Sequence, residues 1–212
     1  MYKDFQKFWD KKWNNVGLIE NNNFSLKVTK FINEKWLKLI DIWAWNGRDS
    51  LYFASLWFSV DSFDFSINAL NNLSNISKEK WLNINTILWN TIDFDFKIDC
   101  YDIVYACNSL HYFSKEDTIK ICKKIKKSLK KWWYIFVRVK SIDDTDFWKW
   151  EKLWENFYKN GDDIKHYFTL DFIKELFFDF EILEIQELQD IHNKIEGTTS
   201  INWFIDLVAR KR

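Results

Sequence analysis

The sequence predicts an α/β domain: a doubly wound, mostly parallel seven-stranded sheet with an antiparallel C-terminal strand pair and helices on both faces. Three observations predict it. Short apolar runs alternate with amphipathic stretches of helical spacing from residue 37 onward. The last two apolar runs are separated only by a polar turn, which leaves no helix to carry a parallel crossover. The length, 212 residues, suits one domain with a sizeable core.

The elements follow in order. Residues 3–12 and 25–34 read as helices of an N-terminal cap spanning 1–34. "LKLIDI" reads as the first strand, ending in Asp41 and Ile42, and "RDSLYFASL" as the helix after it. "FSVDSFDF" is the second strand, and 67–80 a helix that Ser66 can cap. "NINTIL" is the third strand. "YDIVYAC" is the fourth, its Ile103, Val104 and Ala106 typical of a parallel strand buried on both faces. Residues 115–130 place Ile119, Cys122, Ile125 and Leu129 on one helical face after a Ser114 cap. "YIFVRVK" is the fifth strand, 141–168 a connecting loop, and 169–177 a helix opened by Thr169. "FEILEIQEL" and "WFIDLVARK" form the antiparallel pair.

Charge and cysteine usage narrow the classes. Lys and Arg number 31, Asp and Glu 31, so no electrostatic case exists for nucleic acid or a membrane surface. No apolar run approaches the roughly 20 residues that span a bilayer, and "MYKDFQKFWDKKW" lacks a signal-peptide core. Cys100, Cys107 and Cys122 form no C-x-x-C pair, which fits a cytoplasmic protein, and the His and Cys residues show no metal-ligand spacing. A monomer or a weak homodimer is expected.

Two counts are abnormal. Average usage predicts about 15 glycines and about 10 prolines in such a chain. The sequence has 4 and 0, with 14 tryptophans. A packing tryptophan belongs on an apolar face. Trp36, Trp43, Trp45, Trp57, Trp81, Trp132 and Trp133 instead fall at turns and helix ends, where glycine supplies left-handed backbone. Trp148, Trp150 and Trp154 cluster in the polar segment after the fifth strand. Reading most tryptophans as glycine returns an ordinary composition. A single cause suffices: UGA means stop in most genomes, tryptophan in some and glycine in others. The richness in Lys, Asn, Ile and Phe points to an AT-rich genome. Trp9, within an aromatic amphipathic stretch, reads as a genuine tryptophan.

With glycine in those places, residues 35–210 resemble the class I S-adenosylmethionine-dependent methyltransferases, in particular small stand-alone members of the tellurite-resistance type. The first family motif, an acid and an apolar residue before Gly-x-Gly-x-Gly, stands here as Asp41, Ile42, Trp43, Ala44, Trp45, Asn46 and Gly47. The second is the acid ending strand two, Asp64, followed by Phe65. The third is a polar residue after strand three, Asn90, with Thr91 and Ile92 beside it; many members have Asp there. The fourth is the end of strand four, Cys107 and Asn108. The fifth, Lys-Pro-Gly-Gly, stands as Lys130, Lys131, Trp132 and Trp133, with the proline replaced.

The resemblance implies a Rossmann-like fold in which one domain, 1–212, divides into the helical cap, a cofactor-binding core over 35–140, and a substrate lid with the final strands over 141–212. It implies S-adenosylmethionine as cofactor, with Asp41 and the 43–47 loop around it, Asp64 on the ribose, Asn90, Thr91 and Ile92 at the adenine, and Cys107 and Asn108 at the methionine end. It also implies in-line methyl transfer to an oxygen, nitrogen or sulfur of a small acceptor. His111 and His166 are candidate bases or clamps toward that acceptor, against an ordinary structural role; His192 reads as solvated. Asp143, Asp144 and Asp146 could meet a cationic substrate, against a plain polar loop. A nicotinamide-dependent oxidoreductase would need G-x-G-x-x-G, and the third small position falls on Arg48. If Trp43 and Trp45 are real, the pocket is filled, and a catalytically dead interaction module becomes the alternative.

Overall fold

The computed structural model describes residues 23–88, 94–193 and 199–212. The helix expected over 3–12 and the expected adenine contacts Asn90, Thr91 and Ile92 lie outside the described residues.

The helices are α1 (Asn23–Phe31), α2 (Arg48–Ser55), α3 (Ile67–Glu79), α4 (Lys115–Ser128) and α5 (Leu170–Leu176). The strands are β1 (Lys38–Ile42), β2 (Ser59–Asp64), β3 (Ile84–Leu88), β4 (Tyr101–Cys107), β5 (Leu129–Lys140), β6 (Glu151–Trp154), β7 (Phe157–Asn160), β8 (Asp163–His166), β9 (Phe180–Asn193) and β10 (Thr199–Lys211). A seven-stranded sheet runs β3-β2-β1-β4-β5-β10-β9. β1 pairs in parallel with β2 and β4, and β5 with β4. β10 is antiparallel to both of its neighbours, so the reversed strand lies inside the sheet and β9 forms its edge.

The period-2 pattern of the strands sorts the core onto two faces. Ile40, Ile42, Val104 and Ala106 point to one side, where Ile121, Cys122 and Ile125 of α4 and Ile173 of α5 meet them. Leu39, Ile103, Tyr105 and Cys107 point to the other, against Phe24 and Val28 of α1 and Phe53 of α2. Hydroxyl caps start three helices: Ser66 Oγ accepts from the Ala69 amide, Ser114 Oγ from Asp117 and Thr169 Oγ1 from Phe172. A buried ion pair ties α1 to the sheet. Arg138 Nε and Nη2 donate to Asp206 at 2.6 and 2.8 Å, and Lys27 Nζ donates to the same carboxylate at 3.1 Å.

Three expectations are corrected. Helix α4 ends at Ser128, because Leu129 turns extended at ψ 133 and pairs with Tyr101. Lys130, Lys131, Trp132 and Trp133 therefore lie within β5, and Trp133 is an ordinary strand residue packed on both core clusters. The buried face of α4 is Thr118, Ile121, Cys122 and Ile125, while Ile119 is only half-buried. The 141–168 segment is not a loop: β6, β7 and β8 form a three-stranded antiparallel sheet of their own. Its strands are only four residues each, which hid them, although Asn160, Gly161 and Asp162 between β7 and β8 carry a hairpin signal.

Candidate active site

The strand order changes direction at β1, with β2 on one side and β4 on the other. Such a switch point leaves a crevice beyond the carboxyl ends of the strands. A cavity of about 180 Å³ sits there. Asp41 and the 43–46 loop line one wall, Arg48 and Asp49 of α2 the floor, and Cys107 and Asn108 the β4 side.

The loop is built by backbone hydrogen bonds. The Ala44 amide donates to the Phe63 carbonyl at 2.8 Å, and the Gly47 amide to Ala44 at 2.8 Å. Gly47, at φ 79, then caps α2, and the Leu51 amide donates to its carbonyl. A Cβ on Gly47 would stand 2.9 Å from Leu73 Cγ and nearer still to Cδ1, so α3 packs against this glycine. Asp64 is buried, and its two oxygens accept from the Trp45 amide at 2.9 Å and the Ser66 amide at 2.8 Å. Its carboxylate thus shapes the loop.

Asp41 is buried beneath the loop. Ser50 Oγ donates to it at 2.6 Å, and Ser62 Oγ donates to Ser50 Oγ at 2.7 Å. Burial pushes the Asp41 carboxyl up to about 8, with Asp49 and Asp64 adding to it. Burial and then Asp49 push the Cys107 thiol up to about 12, so it lines the cleft as a neutral thiol. Asn46 Nδ2 and Asn108 Oδ1 are buried at the cleft with no protein partner among the described residues. Such groups fit a ligand that carries both acceptors and donors.

Trp43 and Trp45 line the same cavity. Both are left-handed, at φ 71 and φ 57. The Trp43 ring is buried against Phe65 at 4.7 Å, Phe113 at 5.0 Å and Tyr112 at 5.1 Å. Trp45 meets Tyr112 at 5.9 Å.

The second half of the site is the 3-10 turn Leu110–Tyr112 after β4, against which β8 packs. This brings His111 and His166 together. Burial lowers His111 well below the usual imidazole range, and Lys165, Lys140 and His166 lower it further. Burial, then Lys115, brings His166 down to about 4. Both rings are therefore neutral near pH 7. Ser109 Oγ and the Nδ1 atoms of His111 and His166 are buried without a protein partner among the described residues. Tyr112 joins the halves: its ring touches both indoles, and Asp163 and Tyr167 of the small-sheet side act on its hydroxyl.

Sequence reasoning did not single out Ser109, Tyr112, Lys140, Asp163, Lys165 or Tyr167. Lys140, at the carboxyl end of β5, carried the one available signal. Asp144 is consumed structurally: it accepts from Lys140 Nζ at 2.5 Å and from the Trp203 amide at 3.0 Å. The side chain of His192 lies outside the described residues. Among the described residues, no cluster of three or more His, Cys, Asp or Glu could hold a metal, and no helix is long and apolar enough to cross a membrane.

Residues 1–196 match the family model described as "Tellurite resistance protein TehB". The chain belongs to this family. A similar curated protein is the probable S-adenosyl-L-methionine-dependent methyltransferase TehB of Haemophilus influenzae, 24% identical over 98% of this chain and 67% of that protein. The crystal structure of TehB from Haemophilus influenzae superposes with a TM-score of 0.72 at 22% identity, covering 98% of this chain and 67% of that one. A Burkholderia thailandensis 1,6-didemethyltoxoflavin-N1-methyltransferase, solved with S-adenosylhomocysteine, matches with a TM-score of 0.72 at 14% identity, over 99% of this chain and 86% of that one. By family and fold the chain is a class I S-adenosylmethionine-dependent methyltransferase, which sets the oxidoreductase reading aside.

The frame of the site fits the family's cofactor: a strand-end acid, backbone amides at a tight loop, a second acid and orphaned amide groups. The side chains at 43 and 45 do not. Their indoles fill the space above the loop and leave about 180 Å³, below the ~300–1,000 Å³ of ordinary ligand pockets.

Proposed function

We propose that the chain methylates a small polar acceptor held between the turn after β4 and the β6–β8 sheet. The observation that carries this is the pairing of buried, neutral His111 and His166, their Nδ1 atoms and Ser109 Oγ without a protein partner among the described residues, beside the cofactor cleft. Neutral imidazoles can accept a proton from the acceptor or orient it by hydrogen bonding. The cofactor supplies, when bound, a sulfonium methyl that is already activated, so this chain's own work is to orient the acceptor and exclude water. The β6–β8 sheet serves as the lid.

The family description makes tellurite the first acceptor to test. Lys140 and Lys165 lie near His111, but each is paired with a carboxylate, Asp144 at 2.5 Å and Asp163 at 3.1 Å, so they do not select the charge of the acceptor. The test follows S-adenosylhomocysteine formation with tellurite and with small oxygen, nitrogen and sulfur acceptors, for the Trp43→Gly/Trp45→Gly protein and for His111→Gln and His166→Gln in that background. Turnover that falls in both variants supports the reading. Full turnover in both overturns the acceptor site.

A second reading, a pocket that serves as an interaction module, rests on Trp43 and Trp45 standing in the cleft. It depends on whether those residues are tryptophan in the working protein.

A further inference from the structure

We infer that positions 36, 43, 45, 57, 81 and 132 are glycine in the protein as its source cell makes it, so that the cleft at 43 and 45 is open. The backbone carries the inference. Among the described residues, the non-glycine positions with positive φ are Trp36, Trp43, Trp45, Trp57, Trp81 and Trp132, with Asp99, Asn108 and Asn156. Asp and Asn tolerate this region; a bulky side chain there is an outlier that costs roughly 1–2 kcal/mol. Tryptophan is the one type out of place, and it recurs six times.

Two of the six complete a glycine motif. After α2, the Trp57 amide donates to Ala54 and the Phe58 amide to Phe53. After α3, the Trp81 amide donates to Lys78 and the Leu82 amide to Ser77. These are the paired hydrogen bonds of a Schellman helix end, whose left-handed residue is usually glycine. The side chains gain little there by packing beyond a mutual contact of the Trp36 and Trp57 rings at 5.3 Å. Trp36, Trp57, Trp81 and Trp132 are 74, 57, 94 and 64% exposed. Other tryptophans lack positive φ and do have work. Trp150 lies beneath the Lys165 ammonium at 4.1 Å, and Trp154 stacks on Phe157 at 4.7 Å. A codon assigned to tryptophan in one genetic code and to glycine in another accounts for all six positions. Selection for buried indoles does not account for the four exposed ones.

The remaining two, Trp43 and Trp45, plug the cleft. Glycine there removes both indoles and leaves the amides, Asp64 and Asn108 in place. This consequence rests on the methyltransferase reading; the residue assignment does not.

The experiment is the mass of the tryptic peptide Leu39–Arg48 from protein isolated from source cells, together with a calorimetric titration of S-adenosylhomocysteine into recombinant Trp43→Gly/Trp45→Gly protein and the tryptophan form. A peptide mass with two glycines is the expected result. A mass with two tryptophans overturns the assignment. Binding by the glycine form and none by the tryptophan form at equal concentrations is expected in the titration. Equal binding overturns the plugged-cleft argument. A native glycine peptide with no binding by the glycine form leaves the assignment standing and overturns the cofactor site.

Discussion

Asp64 Oδ2 accepts a hydrogen bond from the Trp45 amide at 2.9 Å, which ties the end of β2 to the loop after β1. The same carboxylate accepts from the Ser66 amide at 2.8 Å, so it shapes the loop and the start of α3 together, and we propose that it also meets the cofactor. Hydrogen bonds to charged groups contribute about 1.5–3 kcal/mol. Asp64→Ala in the Trp43→Gly/Trp45→Gly background should weaken S-adenosylhomocysteine binding by about that amount, on the order of tenfold or more. Titration calorimetry measures it, and unchanged affinity would remove Asp64 from the site.

Gly47 has no room for a side chain. Its φ of 79 and the nearby Leu73 side chain oppose any Cβ. Gly47→Ala should destabilise the fold by about 1–3 kcal/mol, from the left-handed backbone and the overpacking against α3. Urea unfolding reads the change.

The four outward tryptophans give an unusual expectation. Replacing tryptophan by glycine ordinarily destabilises a protein. Here Trp36→Gly, Trp57→Gly, Trp81→Gly and Trp132→Gly together should raise the urea midpoint, since each relieves about 1 kcal/mol of left-handed strain and gives up an exposed indole. A lowered midpoint would mean that these indoles pack in solution.

Asp41 and His166 should pull stability in opposite directions with pH. Asp41 titrates at about 8 in the fold, above the carboxylate range, so its contribution is present at low pH and is lost as pH rises toward 8. His166 titrates at about 4, below the imidazole range, so its contribution is present above pH ~6.5 and is lost as pH falls through about 4. Tm measured across this range should flatten at its alkaline end in Asp41→Asn and at its acid end in His166→Gln. Parallel profiles in parent and variants would contradict both assignments.

The sequence by itself determined the alternation of β and α, the caps Ser66, Ser114 and Thr169, and the ordered motifs around Asp41, Gly47 and Asp64. These are legible because periodicity, capping and strand-end acids are local properties. It also marked the tryptophans as misplaced, since turn chemistry is local too. Only the tertiary structure decided which of them stand in left-handed backbone, because φ depends on the hydrogen bonds that close each turn; Trp133, next to Trp132, is an ordinary strand residue. Only the tertiary structure brought His111 to His166 and set Tyr112 between the loop and the small sheet. Those residues are far apart in the chain, and their meeting depends on how the short strands β6–β8 fold back over the carboxyl ends of the parallel sheet, a packing of distant surfaces that no local pattern encodes.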